Sequence, residues 1–237
     1  MTTTTETLRP QLDQLQKVSL ILGLVIVAGS AAAAFTMGQQ AEFFQSYLIG
    51  FFFWTGIALS CWGLCMLHHL VTGRWGFVLQ RVFESGMSTF PLLFVLFLPI
   101  LLLGMQDLYP WARPEAADDP LLQHKEAYLN YGFFVVRAVI YFAIWIGVSS
   151  YLIKWSNAQD ESGDPALSDR LQALSGPGMP LFALTVTFAS FDWLMSLDPH
   201  WFSTLYGVMM IVSAGGATMA FAIIMMNYLH KHEPLSR

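Results

Sequence analysis

Apolar residues along this chain gather into long uninterrupted stretches separated by short polar ones. Six stretches, at 18–37, 46–67, 89–105, 132–153, 179–197 and 202–229, reach or approach the roughly 20 residues that a helix rising about 1.5 Å per residue needs to cross a hydrocarbon core about 30 Å thick. They are continuously apolar and do not alternate as barrel strands do, and a lone helix satisfies its own backbone in lipid. The expected fold class is therefore all-α: a polytopic membrane helix bundle of about six transmembrane helices. Residues 1–17 read as a polar N-terminal segment, 18–230 as the membrane domain and 231–237 as a tail.

The linkers add detail. Trp75, Val78, Leu79, Val82 and Phe83 recur at helical spacing, while Arg74, Gln80, Arg81 and Glu84 take the other side, which predicts a short amphipathic helix in the membrane interface. Residues 108–129 hold Pro110, Pro114 and Pro120 among several acids and read as an exposed loop. Residues 156–178 read as a second loop, with Asp160, Glu161, Asp164 and Pro165, closed by a Gly176-Pro177-Gly178 break before the fifth helix. No internal repeat or interdomain linker is visible.

Basic residues set the expected direction. Arg9, Lys17, Arg74, Arg81, Lys154, Arg170, Lys231 and Arg237 fall on one side, Arg113 and Lys125 on the other, and Arg137 inside a stretch. The positive-inside rule then puts both termini in the cytoplasm, in agreement with an even number of spans. The first stretch is long and follows a nearly neutral start, so it reads as a retained helix, although Ala31 to Ala34 has the small-residue character of a signal cleavage site.

Composition sharpens this picture. Of 237 residues 55% are hydrophobic and 11% charged, well under the roughly 25% charged residues of soluble domains. A net charge of -5 with no basic block leaves nucleic acid without an electrostatic footprint. The two cysteines, Cys61 and Cys65, share one apolar stretch, the wrong setting for a disulfide framework. No phosphate loop, nucleophile elbow, CxxC pair or HExxH helix occurs.

Ionisable groups within hydrocarbon are costly and mark candidate sites. Arg137, six residues into the fourth helix, and Asp192, five residues before the end of the fifth, lie about 8 to 9 Å below the same surface and are placed to meet. Tyr141 is one turn deeper than Arg137, and Ser196 one turn above Asp192. The group reads either as a polar lane that binds or protonates a ligand such as a quinone carbonyl, or as an ion pair locking two helices. Asp198, before Pro199, should end the fifth helix, with His200 titratable in the turn; the two read as a proton-exchanging pair or as plain turn residues beside an interfacial Trp201. Cys61, Cys65, His68 and His69 share a helix face that a metal would use, and a b-type haem would bridge His68 or His69 to His230. Interfacial histidines without a ligand are the simpler account. Small residues Ser213, Gly215, Gly216, Ala217 and Ala220, with Gly56, Ser60 and Gly63, are expected to let helices approach closely.

Several strings together resemble one family. They are Met66-Leu67-His68-His69-Leu70-Val71-Thr72-Gly73-Arg74-Trp75-Gly76, Leu108-Tyr109-Pro110-Trp111-Ala112, and His124-Lys125 with Tyr128-Leu129-Asn130. Further along come Arg137-Ala138-Val139-Ile140-Tyr141-Phe142, the run from Arg170 to Gly178, and Phe191-Asp192-Trp193-Leu194-Met195-Ser196-Leu197-Asp198-Pro199-His200-Trp201. In order, they resemble the F-type membrane subunit of bacterial alternative complex III, a quinol:electron-acceptor oxidoreductase of the NrfD-like superfamily. That resemblance implies a multi-pass subunit of the bacterial inner membrane with no redox centre of its own. It implies quinol or menaquinol as substrate of the complex, and partners comprising a sister NrfD-like subunit, an iron-sulfur subunit and haem c subunits. It places Asp192, Arg137, Asp198 and His200 where a quinol site or proton path would be sought, and implies further membrane helices beyond the position of Arg237.

Overall fold

The computed structural model describes residues 5–71 and 73–229. Helices dominate and no strand occurs among the described residues. Six are long and apolar enough to cross a membrane, so the chain is a multi-pass membrane protein.

The first long helix, α1 (Thr5–Met37), ends at Gly38, whose φ of 72° is left-handed. The Gln39 N–H then reaches back to the Ala34 carbonyl at 2.8 Å, the closure that glycine permits after a helix. Next come α2 (Gln40–Val71), the amphipathic α3 (Arg74–Met87) and α4 (Phe90–Pro99). α4 passes through a π-helical segment, Ile100–Gly104, into α5 (Met105–Leu108). A short α6 (Pro120–Lys125) precedes α7 (Tyr131–Ser162), α8 (Pro165–Trp193) and α9 (Tyr206–Leu229). The side of the bundle holding the α2–α3 and α7–α8 turns is called proximal below; the side holding the α1–α2 and α8–α9 connections is distal.

The bundle is centred on α2. Of the residues in its apolar window 67% are buried, against 6% for α1 and 11% for α9, which lie at the outside of the bundle. The core between α2, α4, α7 and α8 is aromatic: Phe97 and Trp193 lie 4.5 Å apart by ring centroid, and Phe142, Trp145 and Phe90 extend the cluster. Such rings fill a core by dispersion and edge-to-face contact, and the Trp145 indole N–H also donates to Thr185 Oγ1 at 2.9 Å.

Three stretches differ from expectation. The Gly176-Pro177-Gly178 run does not break the chain: α8 continues through Pro177 and Pro180 to Pro165, and the turn between α7 and α8 shrinks to Gly163 and Asp164. Neighbouring packing carries the helix through, since Gly178 meets the Met66 sulfur, and Phe182 packs on Gly63 and on Trp62. The Gly163 N–H caps α7 at a φ of 65°, and the Asp164 carboxylate accepts from the Ala166 N–H to start α8. Residues 109–130 are not a bare loop either. Two 3₁₀ turns and α6 fold them over the distal end, where Tyr109, Trp111 and Leu122 are buried. Third, α9 begins at Tyr206, after an irregular stretch, and not at 202. Its contact face is Ala214 and Thr218, whose hydroxyl reaches the Ile57 carbonyl; Gly215 and Gly216 face open space.

Candidate functional site

α7 and α8 run antiparallel, so a residue near the start of one lies level with a residue near the end of the other. The predicted meeting of Arg137 and Asp192 follows. Arg137 Nε and Nη2 donate to the two Asp192 carboxylate oxygens at 2.8 and 2.9 Å, a bidentate pair with 6% and 1% residue exposure. Tyr141, one turn deeper, donates its hydroxyl to Asp192 Oδ2 at 2.7 Å. Arg137 Nη1 donates to the Tyr128 carbonyl at 2.9 Å, and the guanidinium lies 3.9 Å over the Tyr128 ring and 4.3 Å over that of Phe133. The Ser196 hydroxyl donates to the Asp192 backbone carbonyl, closing the end of α8. Asn130 fixes where α7 starts by accepting from the Phe133 N–H at 2.9 Å, which sets the height of Arg137.

Tyr128 is the member of this group that sequence reading did not single out. Its hydroxyl is buried and finds no hydrogen-bond partner of good geometry, although Asp192 is near enough to act on it electrostatically. Burial, and then the Asp192 carboxylate, hold the phenol well above its ordinary range, so it stays protonated and able to donate. Tyr128 also lines a cavity of about 320 Å³ that opens at the distal end, with Phe188, Phe191, Ser196, Trp201 and Phe202 among its walls. The signal in the sequence is slight: a tyrosine nine residues before an intramembrane arginine, in a segment read as loop.

Asp198 and His200 do not pair with each other through their side chains. Asp198 is exposed and accepts from the His200 N–H at 3.2 Å, shaping the turn. His200 Nε2 instead meets Asp119 Oδ2 at 2.9 Å, and Lys125 Nζ donates to the Pro199 carbonyl at 2.6 Å. These two contacts strap the 109–130 segment to the 198–205 segment at the rim of the cavity. The Leu121 N–H first, and then the Leu122 N–H and His200, hold the Asp119 carboxyl below its ordinary range.

At the proximal end, His69 Nε2 lies 3.6 Å from Cys65 Sγ, His68 packs edge-on to Trp75, and His68 Nδ1 is buried without a partner. Among the described residues no group of three His, Cys, Asp or Glu side chains is placed to hold a metal. His230, the other haem candidate, lies outside the described residues. The chain matches no family model, and no curated protein matches it.

Proposed function

We propose that this chain is a membrane subunit of a respiratory quinol:electron-acceptor oxidoreductase and that its distal cavity receives the quinol ring. The observation that carries the reading is an apolar recess of about 320 Å³ lined by Tyr128, whose buried hydroxyl stands close to Asp192, beside the Arg137–Asp192 pair. A quinol is a flat apolar ring with hydroxyls at opposite edges, and binding pockets of that kind are apolar with a few fixed polar groups. Phe188, Phe191 and Trp201 supply the faces, and Tyr128 supplies a neutral hydroxyl able to donate or accept. The ion pair behind it fixes α7 against α8 and so fixes the floor of the recess. The sequence resemblance to the alternative complex III subunit supports the same class. By the positive-inside expectation, the distal end faces the periplasm. The complex's electron acceptors belong to partner subunits of the iron-sulfur and haem c type.

The test is photo-crosslinking with an azido-quinone on the purified protein. Saturable labelling within 125–129 or 188–202, competed by menaquinol, is expected. Tyr128→Phe should weaken binding about three- to tenfold, as for one lost hydrogen bond. Labelling that does not saturate, or that Tyr128→Phe leaves unchanged, overturns the reading.

One observation favours a second reading, in which the subunit is structural or proton-conducting and binds no quinol. Asp192 already accepts three hydrogen bonds from Arg137 and Tyr141, as a lock between helices would. Asp192→Asn in the assembled complex separates the two: loss of proton release with quinol binding intact favours conduction.

A further inference from the structure

A recess on the outer side of the bundle shares no lining residue with the distal cavity. It is a groove of about 740 Å³ between α2, the α3–α4 stretch and α9. Gly50, Phe51 and Ala58 of α2 line it, and Leu92 and Leu96 of α4 form one wall. On the α9 side Trp54 meets Phe221 edge-on, with ring centroids 6.4 Å apart. Trp54, Leu92 and Leu96 remain exposed, so the groove is open to the surrounding membrane.

The groove has a direction. Arg81, three residues into the membrane span 78–108, stands at its proximal mouth, and Leu96 lies fifteen residues further on. At about 1.5 Å per residue that is about 22 Å, well over half of a hydrocarbon core about 30 Å thick. Tyr47 stands at the inner end, where its hydroxyl donates to the Leu96 carbonyl at 2.7 Å. A helix with its side chains is about 10 Å across, and over this length it would need more than twice the volume present. An acyl chain is one methylene wide and fits. The Ser85 and Thr89 hydroxyls along the edge donate back to the Arg81 and Gly86 carbonyls at 2.7 Å, so their protons are spent. Below Arg81 the groove therefore offers mainly apolar surface.

The mouth selects the headgroup. Arg81 is the one charged residue among the described lining residues. Behind it Glu84, 5% exposed, pairs with Arg81 and accepts from the Ser156 hydroxyl at 2.6 Å, so the polar face of α3 packs on the end of α7. Arg81 also pairs with Asp160 and donates to Asn157 Oδ1 at 3.2 Å. The side chains of Arg81 and Asp160 keep 47% and 65% exposure, which leaves both open to a ligand. One guanidinium thus faces two carboxylates, and a phosphate alone would add a third negative group to it. A headgroup that carries an ammonium beside its phosphate brings the missing cation, with the phosphate on Arg81 and the ammonium on Asp160.

We infer that this groove is a binding site for one phospholipid of the proximal leaflet, with a headgroup of both phosphate and ammonium, as in phosphatidylethanolamine, and an acyl chain laid from Arg81 toward Leu96. The lipid bridges α2, α4 and α9 along a side where the protein leaves a gap. The inference is independent of the quinol reading, which concerns the opposite end of the bundle.

Photo-crosslinking of the full chain in mixed micelles tests it. The probe is phosphatidylethanolamine with a diazirine midway along one acyl chain, and labelled peptides are read by mass spectrometry. Saturable labelling within 50–58 and 89–96 is expected. Unlabelled phosphatidylethanolamine should compete at least about tenfold better than phosphatidylglycerol with the same chains, as for one charge-assisted contact. Gly50→Phe fills the groove at a position where an added Cβ meets open space, so the fold should stand while labelling falls at least about tenfold. Gly29→Phe, on α1 outside the groove, should leave labelling unchanged. Asp160→Asn should keep the labelling but bring the two competitors to within about twofold of each other. Labelling that does not saturate, that survives Gly50→Phe, or that yields to phosphatidylglycerol as readily as to phosphatidylethanolamine overturns the inference. So does menaquinol competing better than phosphatidylethanolamine.

Discussion

The Arg137–Asp192 pair is where single residues matter most. Both groups are desolvated, and their mutual attraction has to offset that cost. Removing one partner leaves a bare charge in the core, so Arg137→Ala should destabilise the protein by about 3–5 kcal/mol. Arg137→Lys should also be costly, because an ammonium does not reproduce the two parallel N–H bonds to Asp192 nor lie flat on the Tyr128 ring. The double change Arg137→Met with Asp192→Leu should recover much of the loss while removing any polar function. Unfolding in mixed micelles, followed by tryptophan fluorescence, reads all three; a double variant no better than Arg137→Ala would contradict this account. The meeting of Arg137 and Asp192 was legible from sequence because both helices are long and their ends well marked, so depth followed from counting residues. Glu84 was not legible, since a helical wheel reports one apolar face and says nothing of a second neighbour packed on the polar one. Tyr128 was hidden for a related reason: its segment was read as exposed, and only the fold-back over the bundle end buries its hydroxyl.

At the scale of the element, prolines and glycines carry the instructive cases. Pro99 lacks an N–H, and the helix after it slips into the π-helical segment, which leaves carbonyls without their usual donors. The Tyr47 hydroxyl takes the Leu96 carbonyl at 2.7 Å, and the Tyr131 hydroxyl takes the Leu101 carbonyl at 3.2 Å. Tyrosines from α2 and α7 thus replace the missing backbone bonds. Tyr47→Phe should cost about 0.5–1.5 kcal/mol, with faster amide exchange confined to 96–104. Gly104 closes the segment against Phe44, and an added Cβ would stand 2.6 Å from the ring. Gly104→Ala should therefore cost about 1–3 kcal/mol by overpacking. Gly216→Ala, on an open face, should cost nothing measurable by the same unfolding assay. Hydropathy marks where such a helix lies, but a π-helical slip depends on which hydroxyls stand opposite it, and those come from elsewhere in the chain. The same limit explains the Gly176-Pro177-Gly178 run: read locally it is a break, and only Met66 and Phe182 beside it show why α8 continues.

Across the whole molecule the two ends are built differently. The proximal end is held by the buried Glu84 and Ser156 with the half-exposed Arg81, whereas the distal end is closed by two partly exposed straps, Asp119 to His200 and Lys125 to the Pro199 carbonyl. The distal straps bring a pH dependence whose sign follows from Asp119. Its folded-state carboxyl is held below the ordinary value of 3.8, so ionised Asp119 favours the closed strap at any pH above the carboxylate range. That contribution is lost as the pH falls through the lowered folded value, because protonation weakens the acceptor of the Leu121 N–H and removes the charged partner of His200. An imidazole pairs ionically with a carboxylate only when protonated, so neutral His200 retains at most a hydrogen bond. Lys125 donates to a backbone carbonyl, so its strap does not depend on a carboxylate. Hydrogen exchange in 115–129, corrected for intrinsic rates, should thus be slow at mildly acidic pH and accelerate once the pH drops below about 4. Asp119→Asn should be fast at both and lose the acid step, while the α2–α8 core stays unchanged. An acid step that persists in Asp119→Asn would move its origin to another carboxylate. Loosening that spreads into α7 and α8 would show that the acid step is not confined to the strap.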